Sequence, residues 1–140
     1  MVDEFDPKHG QLVGIPFFKA DLVTAASNTD MAFQSTDHTL VTMPKAGSVV
    51  GISVRADAAI TAGTITFRAH KAGTEFAQNG YPAPVLSTAA TPGSQAVCTP
   101  RNLTFAAGDG IGVSYSTSTD MAPSSTNDVT AMLWVIFDKD

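Results

Sequence analysis

Apolar and polar residues alternate in short runs along this chain, and Gly or Pro closes most of them. In residues 48–55, Val50, Ile52 and Val54 share one face, while Ser53 and Arg55 share the other. In residues 64–70, Ile65, Phe67 and Ala69 point one way, and Thr64, Thr66, Arg68 and His70 point the opposite way. Residues 110–117 place Ile111, Val113 and Tyr115 on one side, after a Gly-rich turn at 106–110. A repeat of two residues is the repeat of a β-strand, and no long stretch carries the 3.6-residue repeat over good helix formers. The pattern predicts an all-β protein, a single antiparallel β-sandwich of jelly-roll type with about eight strands. Its expected core holds Val50, Ile52, Val54, Ile65, Phe67, Ile111, Val113, Leu133 and Val135. The runs at 48–55 and 64–70 read as an antiparallel hairpin with one wet face. Weaker strands are expected at 12–21, 38–43, 83–87 and 95–99, and residues 20–28 are the one candidate for a short helix.

Residues 129–137 break the rule in an informative way. Val129, Ala131, Leu133, Val135 and Phe137 form one apolar face, and Met132, Trp134 and Ile136 make the other face apolar as well. Such a strand is either covered on both sides or carries an interface. Only 15% of the residues are charged, against about 25% in an average soluble domain. Thr, Ser and Ala take the place of Lys and Glu, as expected where neighbours cover the surface. Self-association, with Met132, Trp134 and Ile136 at the interface, follows as an expectation.

The 140 residues suit one domain, read here as an N-terminal arm over 1–10 and a sandwich over 11–140. The arm carries Pro7 and Gly10 and lacks periodicity. Phe5, Leu12 and Ile15 supply apolar groups to an extended segment suited to adding onto a partner. The expectation is that residues 1 to about 16 are loosely held until a partner orders them.

Charge and motifs narrow the chemistry. A net charge of −5 opposes binding to nucleic acid or to an anionic membrane. One cysteine, Cys98, allows no intrachain disulfide and is expected to be buried and inert. The acidic start lacks the pattern of a signal peptide, and no apolar run reaches membrane-span length. The Asn102-Leu103-Thr104 sequon is therefore expected to be unused. There is no His-Glu-x-x-His, no pair of cysteine ligands and no phosphate loop. His9, His38 and His70 are scattered and are expected at the surface or an interface, without a metal. Neither Ser53 nor Ser114 sits in a nucleophile elbow. No enzyme, cofactor or metal is expected.

Two stretches carry a resemblance. Met43-Pro44-Lys45-Ala46-Gly47-Ser48, continuing through Ala62-Gly63-Thr64-Ile65, resembles a hairpin of small phage virion proteins. Phe105-Ala106-Ala107-Gly108-Asp109-Gly110, followed by the strand with Trp134, resembles the C-terminal half of jelly rolls of the tumour-necrosis-factor and C1q type. Together they span roughly half the chain, and the chain is similar to the capsid decoration, or cementing, proteins of tailed bacteriophages. The resemblance implies a non-enzymatic virion protein on the capsid exterior, present in the host cytoplasm during assembly. Its implied partners are itself, as a homotrimer, and the phage major capsid protein, whose subunits it would bridge. An adhesion or receptor-binding head that holds host glycans on its loops is the alternative. Tyr81 is the one aromatic residue placed for that role, which favours the structural reading.

Overall fold

The structure, a computed structural model, describes residues 9–34, 38–72, 74–75, 83–89, 93–97 and 102–139. Phe5, Tyr81 and Cys98 lie outside them. Two antiparallel sheets pack face to face as a β-sandwich, and no helix occurs among the described residues. The long strands are β1 (His9–Lys19), β4 (Gly47–Ala56), β5 (Ile65–Lys71), β8 (Gly93–Val97), β10 (Gly110–Thr117) and β11 (Val129–Asp138). Between them lie the short β2 (Thr29–Asp30), β3 (Val41–Thr42), β6 (Thr74–Glu75), β7 (Val85–Leu86) and β9 (Leu103–Phe105).

The first sheet runs β1-β11-β4-β8, with β9 also on β4. The second runs β2-β10-β5-β6, with β3 also on β10 and β7 also on β5. Short strands that share one partner edge fill one position each: β2 with β3, β6 with β7, and β8 with β9. Counted so, each sheet has four positions, which agrees with the number expected from the turn spacing.

Inward-facing residues of both sheets form one core. Ile15, Phe17, Ile52, Val54, Leu133 and Val135 come from the first sheet, and Ile65, Phe67, Ile111, Val113 and Tyr115 from the second. Leu22, Met31, Met43, Ile60 and Met121 extend it from the connections. Each fully buried side chain of this size contributes about 1.5–3 kcal/mol by leaving water.

Four expectations need correction. The runs at 48–55 and 64–70 are not a hairpin: β4 and β5 belong to opposite sheets. The connection crosses the sandwich with Ile60 buried beneath it, and Asn127 pins it by pairing with both the N–H and the C=O of Ala58. A period of two fixes which residues face the core, but both strands of a hairpin and strands facing across a core satisfy it. Val50 is not in the core. Trp134 is opposite Gly51 and Val135 is opposite Val49, so Val50 is the extra residue of a β-bulge. The bulge resets the alternation, burying Val49 with Ile52 and Val54 and turning Val50 out. Residues 20–28 form turns rather than a helix. Asp21, Ala25 and Asn28 have positive φ, and the N–H of Leu22 donates to the carbonyl of Asn127 instead of to its own segment. Finally, residues 9–16 are not loosely held. They pair with β11 from His9 opposite Asp138 to Pro16 opposite Met132, so the expected arm extends at most to the start of β1.

Candidate interaction face

The outward face of the β1-β11-β4-β8 sheet gathers the second apolar face of β11 with its neighbours. In register across the sheet, Leu12 lies opposite Ile136, Gly14 opposite Trp134, and Pro16 opposite Met132. Trp134 continues to Gly51 and then Val97, while Met132 continues to Ser53 and then Gln95. Val50, displaced outward by the bulge, lines a depression of about 250 Å³ with Leu12, Val97 and Trp134. Leu12 is 51% exposed and Val97 78% exposed. Large apolar groups this open, joined across the sheet by Trp134 and Val50, form a patch suited to another protein surface.

Trp134 is the centre of this face. Its indole Nε1 donates to Ser53 Oγ at 3.0 Å. Its six-membered ring lies where a side chain at position 14 would stand, because a Cβ on Gly14 would come within 2.8 Å of Cζ3. The indole therefore lies across the sheet from β1 to β4, fixed at its polar edge and half-buried. The absent side chain at Gly14 and the hydroxyl at Ser53 set the height of the platform.

Met132, Trp134 and Ile136 thus share one half-buried outward face in the middle of a sheet. Leu12 joins them on β1. Ile15 does not: it points into the core and is 8% exposed, because odd-numbered residues from 13 to 17 face inward in β1. A residue committed to the core cannot also anchor a partner, and Ile15 is withdrawn from that role.

The outward face of the second sheet is polar. His70 is 2% exposed rather than at the surface. Asp30, on β2, brings Oδ1 to 3.1 Å from His70 Nε2. Across the ladder Gly112 leaves the space the imidazole occupies, since a Cβ there would lie 2.9 Å from Nε2 and 2.5 Å from the carbonyl oxygen of Thr39. The segment bearing Thr39 therefore runs close above β10. Strand alternation alone placed His70 on a wet face, and nothing in that pattern marks a loop as folding back over it. His38 is exposed, and Ser114 is buried beside Asp30 and Arg68 in the ladder. Among the described residues no group of three or more His, Cys, Asp or Glu is placed to hold a metal ion.

The fold and this face together define an antiparallel β-sandwich with an exposed apolar surface on one sheet. No family model and no curated protein matches the sequence. Among solved structures, a chain of the cyanophage Pam1 capsid asymmetric unit is similar at 13% identity and a TM-score of 0.48, with 98% of this chain and 91% of that chain covered. A likeness of that degree leaves function to be argued from the chain's own surface.

Proposed function

We propose that this chain is a structural virion protein that binds the outer surface of a phage capsid and stabilises the coat lattice by bridging neighbouring coat subunits. The observation that carries the reading is the uncharged apolar face built on Trp134, in a chain with few charges elsewhere. On this reading the strand arrangement is a jelly roll, and the protein acts as a homotrimer in which Met132, Trp134 and Ile136 meet a second copy. Its other partner is the major capsid protein. Its place is the capsid exterior, reached from the host cytoplasm during assembly.

Attachment uses Phe5, in the arm, and the exposed Leu12. Ordering a segment costs about 1–2 kcal/mol per residue in backbone entropy, while burying one Phe or Leu returns about 1.5–3 kcal/mol. One arm alone binds weakly, and several on one oligomer bind strongly through effective concentration. The test adds the purified protein to expanded capsids assembled from the major coat protein of the same genome. Saturable binding that raises the temperature at which the capsids rupture supports the reading. Absence of binding, or binding without stabilisation, rejects it. The Phe5→Ala and Leu12→Ser variants should bind more weakly while keeping the fold.

A further inference from the structure

At the end of the first sheet's outward face away from Leu12, the surface is no longer apolar. A groove of about 830 Å³ opens there, within the range of small-molecule sites. Its floor is low at Thr130, Gly93 and Ser53, whose side chains are short or absent, and Arg55 stands in register between Thr130 and Gly93. A Cβ on Gly93 would meet only the carbonyl oxygen of Val54, at 3.4 Å, so the space above this residue is open. Gln95 and Met132 flank Ser53 on the neighbouring strands.

The carboxylates of Asp57 and Asp128 close one end. Both are held by backbone: Asp57 Oδ1 accepts from the N–H of Asp128 at 2.9 Å, and Asp128 Oδ1 accepts from the N–H of Asp21 at 2.8 Å. Each keeps a second oxygen for another donor.

These groups select a ligand class. One guanidinium against two carboxylates leaves a negative excess, which repels phosphate, sulfate or a sugar acid. A wholly apolar ligand would strip water from these charged groups and return nothing. Hydroxyl groups both donate and accept, so a neutral polyol can satisfy the guanidinium, the amide of Gln95 and the carboxylates together.

We propose that this groove binds a neutral oligosaccharide, with Arg55, Gln95, Asp57 and Asp128 as its polar contacts and Gly93 leaving the room. The site is distinct from the capsid-binding arm. A protein that decorates capsids but binds no sugar refutes this inference alone.

The experiment records ¹⁵N–¹H spectra of the full chain during titration with maltotriose, cellotriose and a neutral galactose-containing trisaccharide. Glucose and galactose, as free sugars, and sialyllactose are titrated alongside. At least one neutral trisaccharide is expected to shift amides in 53–57, 93–95 and 128–132 saturably, ahead of its monosaccharide and of sialyllactose. Gly93→Phe should fill the groove, and Arg55→Ala should weaken binding roughly tenfold, the loss of one hydrogen bond to a charged group. Both variants are first shown to keep the wild-type spectrum outside the groove. Binding only of free monosaccharide, preferred binding of sialyllactose, shifts confined to other surfaces, no shift with any saccharide, or unchanged affinity in Gly93→Phe each overturns the proposal.

Discussion

Gly112 on the inner strand β10 and Gly14 on the outer strand β1 should respond differently to the same added methyl group. At Gly112 a Cβ lies 2.5 Å from the Thr39 carbonyl oxygen and 2.9 Å from the buried His70 Nε2. The first neighbour is backbone and the second an enclosed ring, so neither can swing aside cheaply. Overpacking of this kind costs about 1–3 kcal/mol. Replacing Gly by Ala also restricts the unfolded chain, which offsets about 0.4–1 kcal/mol. Gly112→Ala should therefore destabilise by about 1–2 kcal/mol. At Gly14 the Cβ would meet Trp134 Cζ3 at 2.8 Å and Met132 Sδ at 3.0 Å, both far ends of side chains on an open face. The indole can lift, losing the bond to Ser53, worth about 0.5–1.5 kcal/mol, against the same entropic offset. Gly14→Ala should be close to neutral in stability. Trp134 is the sole tryptophan, so its emission reports this motion without interference. Urea unfolding followed by circular dichroism, with fluorescence of the native state, separates the two. Expected are a lowered midpoint for Gly112→Ala with unchanged emission, and an unchanged midpoint for Gly14→Ala with red-shifted emission. Equal midpoints in the two variants, or native emission unmoved by Gly14→Ala, would refute the reasoning.

Burial raises the Tyr115 hydroxyl pKa above its usual 10.0, opposed by the hydrogen bond with Thr29. The unfolded chain therefore loses this proton first, and stability falls as pH rises above about 10, the ordinary tyrosine value. Thermal melts at pH 8 and pH 11 should show a smaller loss in Tyr115→Phe than in wild type. Deleting Val50 removes the residue left over in the bulge while keeping Gly51 opposite Trp134 and Val49 opposite Val135. The deletion should preserve the fold by circular dichroism, whereas deleting Ile52 should abolish it, because a one-residue slip turns core residues outward. Trp134→Lys with Ile136→Lys should give a folded monomer by sedimentation at a concentration where wild type associates. An associated double variant would move the interface off this face.

The alternation in residues 110–117 and 129–137 was enough to read β10 and β11, including the surplus apolar face of β11, because each lies in mid-sheet and the extra residues of the bulges beside β11 fall on its partners. It failed at Val50, since a bulge is set by the partner strand and leaves no mark in a local run of Val-Val-Gly-Ile. Partnering was also hidden: whether β4 returns to its own sheet or crosses to the other depends on where an eight-residue connection goes, not on either strand. β2, β6 and β9 are too short to show a period at all. Of the outward apolar face, Met132, Trp134 and Ile136 were legible from one strand, but Val50 and Val97 join them only through register. The groove over Gly93 could not be read, because it is a space made by small residues on three different strands. His70 needed the tertiary course of the segment above it.

Strand β11 lies between β1 and β4, and β1 pairs with no other strand among those described. During translation β1 leaves the ribosome well before β11 and must wait without its ladder partner. The first sheet cannot be completed before β11 is made, so folding is expected to be slow, as for other topologies dominated by distant pairing. The outward apolar groups of β11 emerge last, when the rest of the sheet is ready to receive them. Trp134 is thus absent from the nascent chain while the earlier strands are still unpaired.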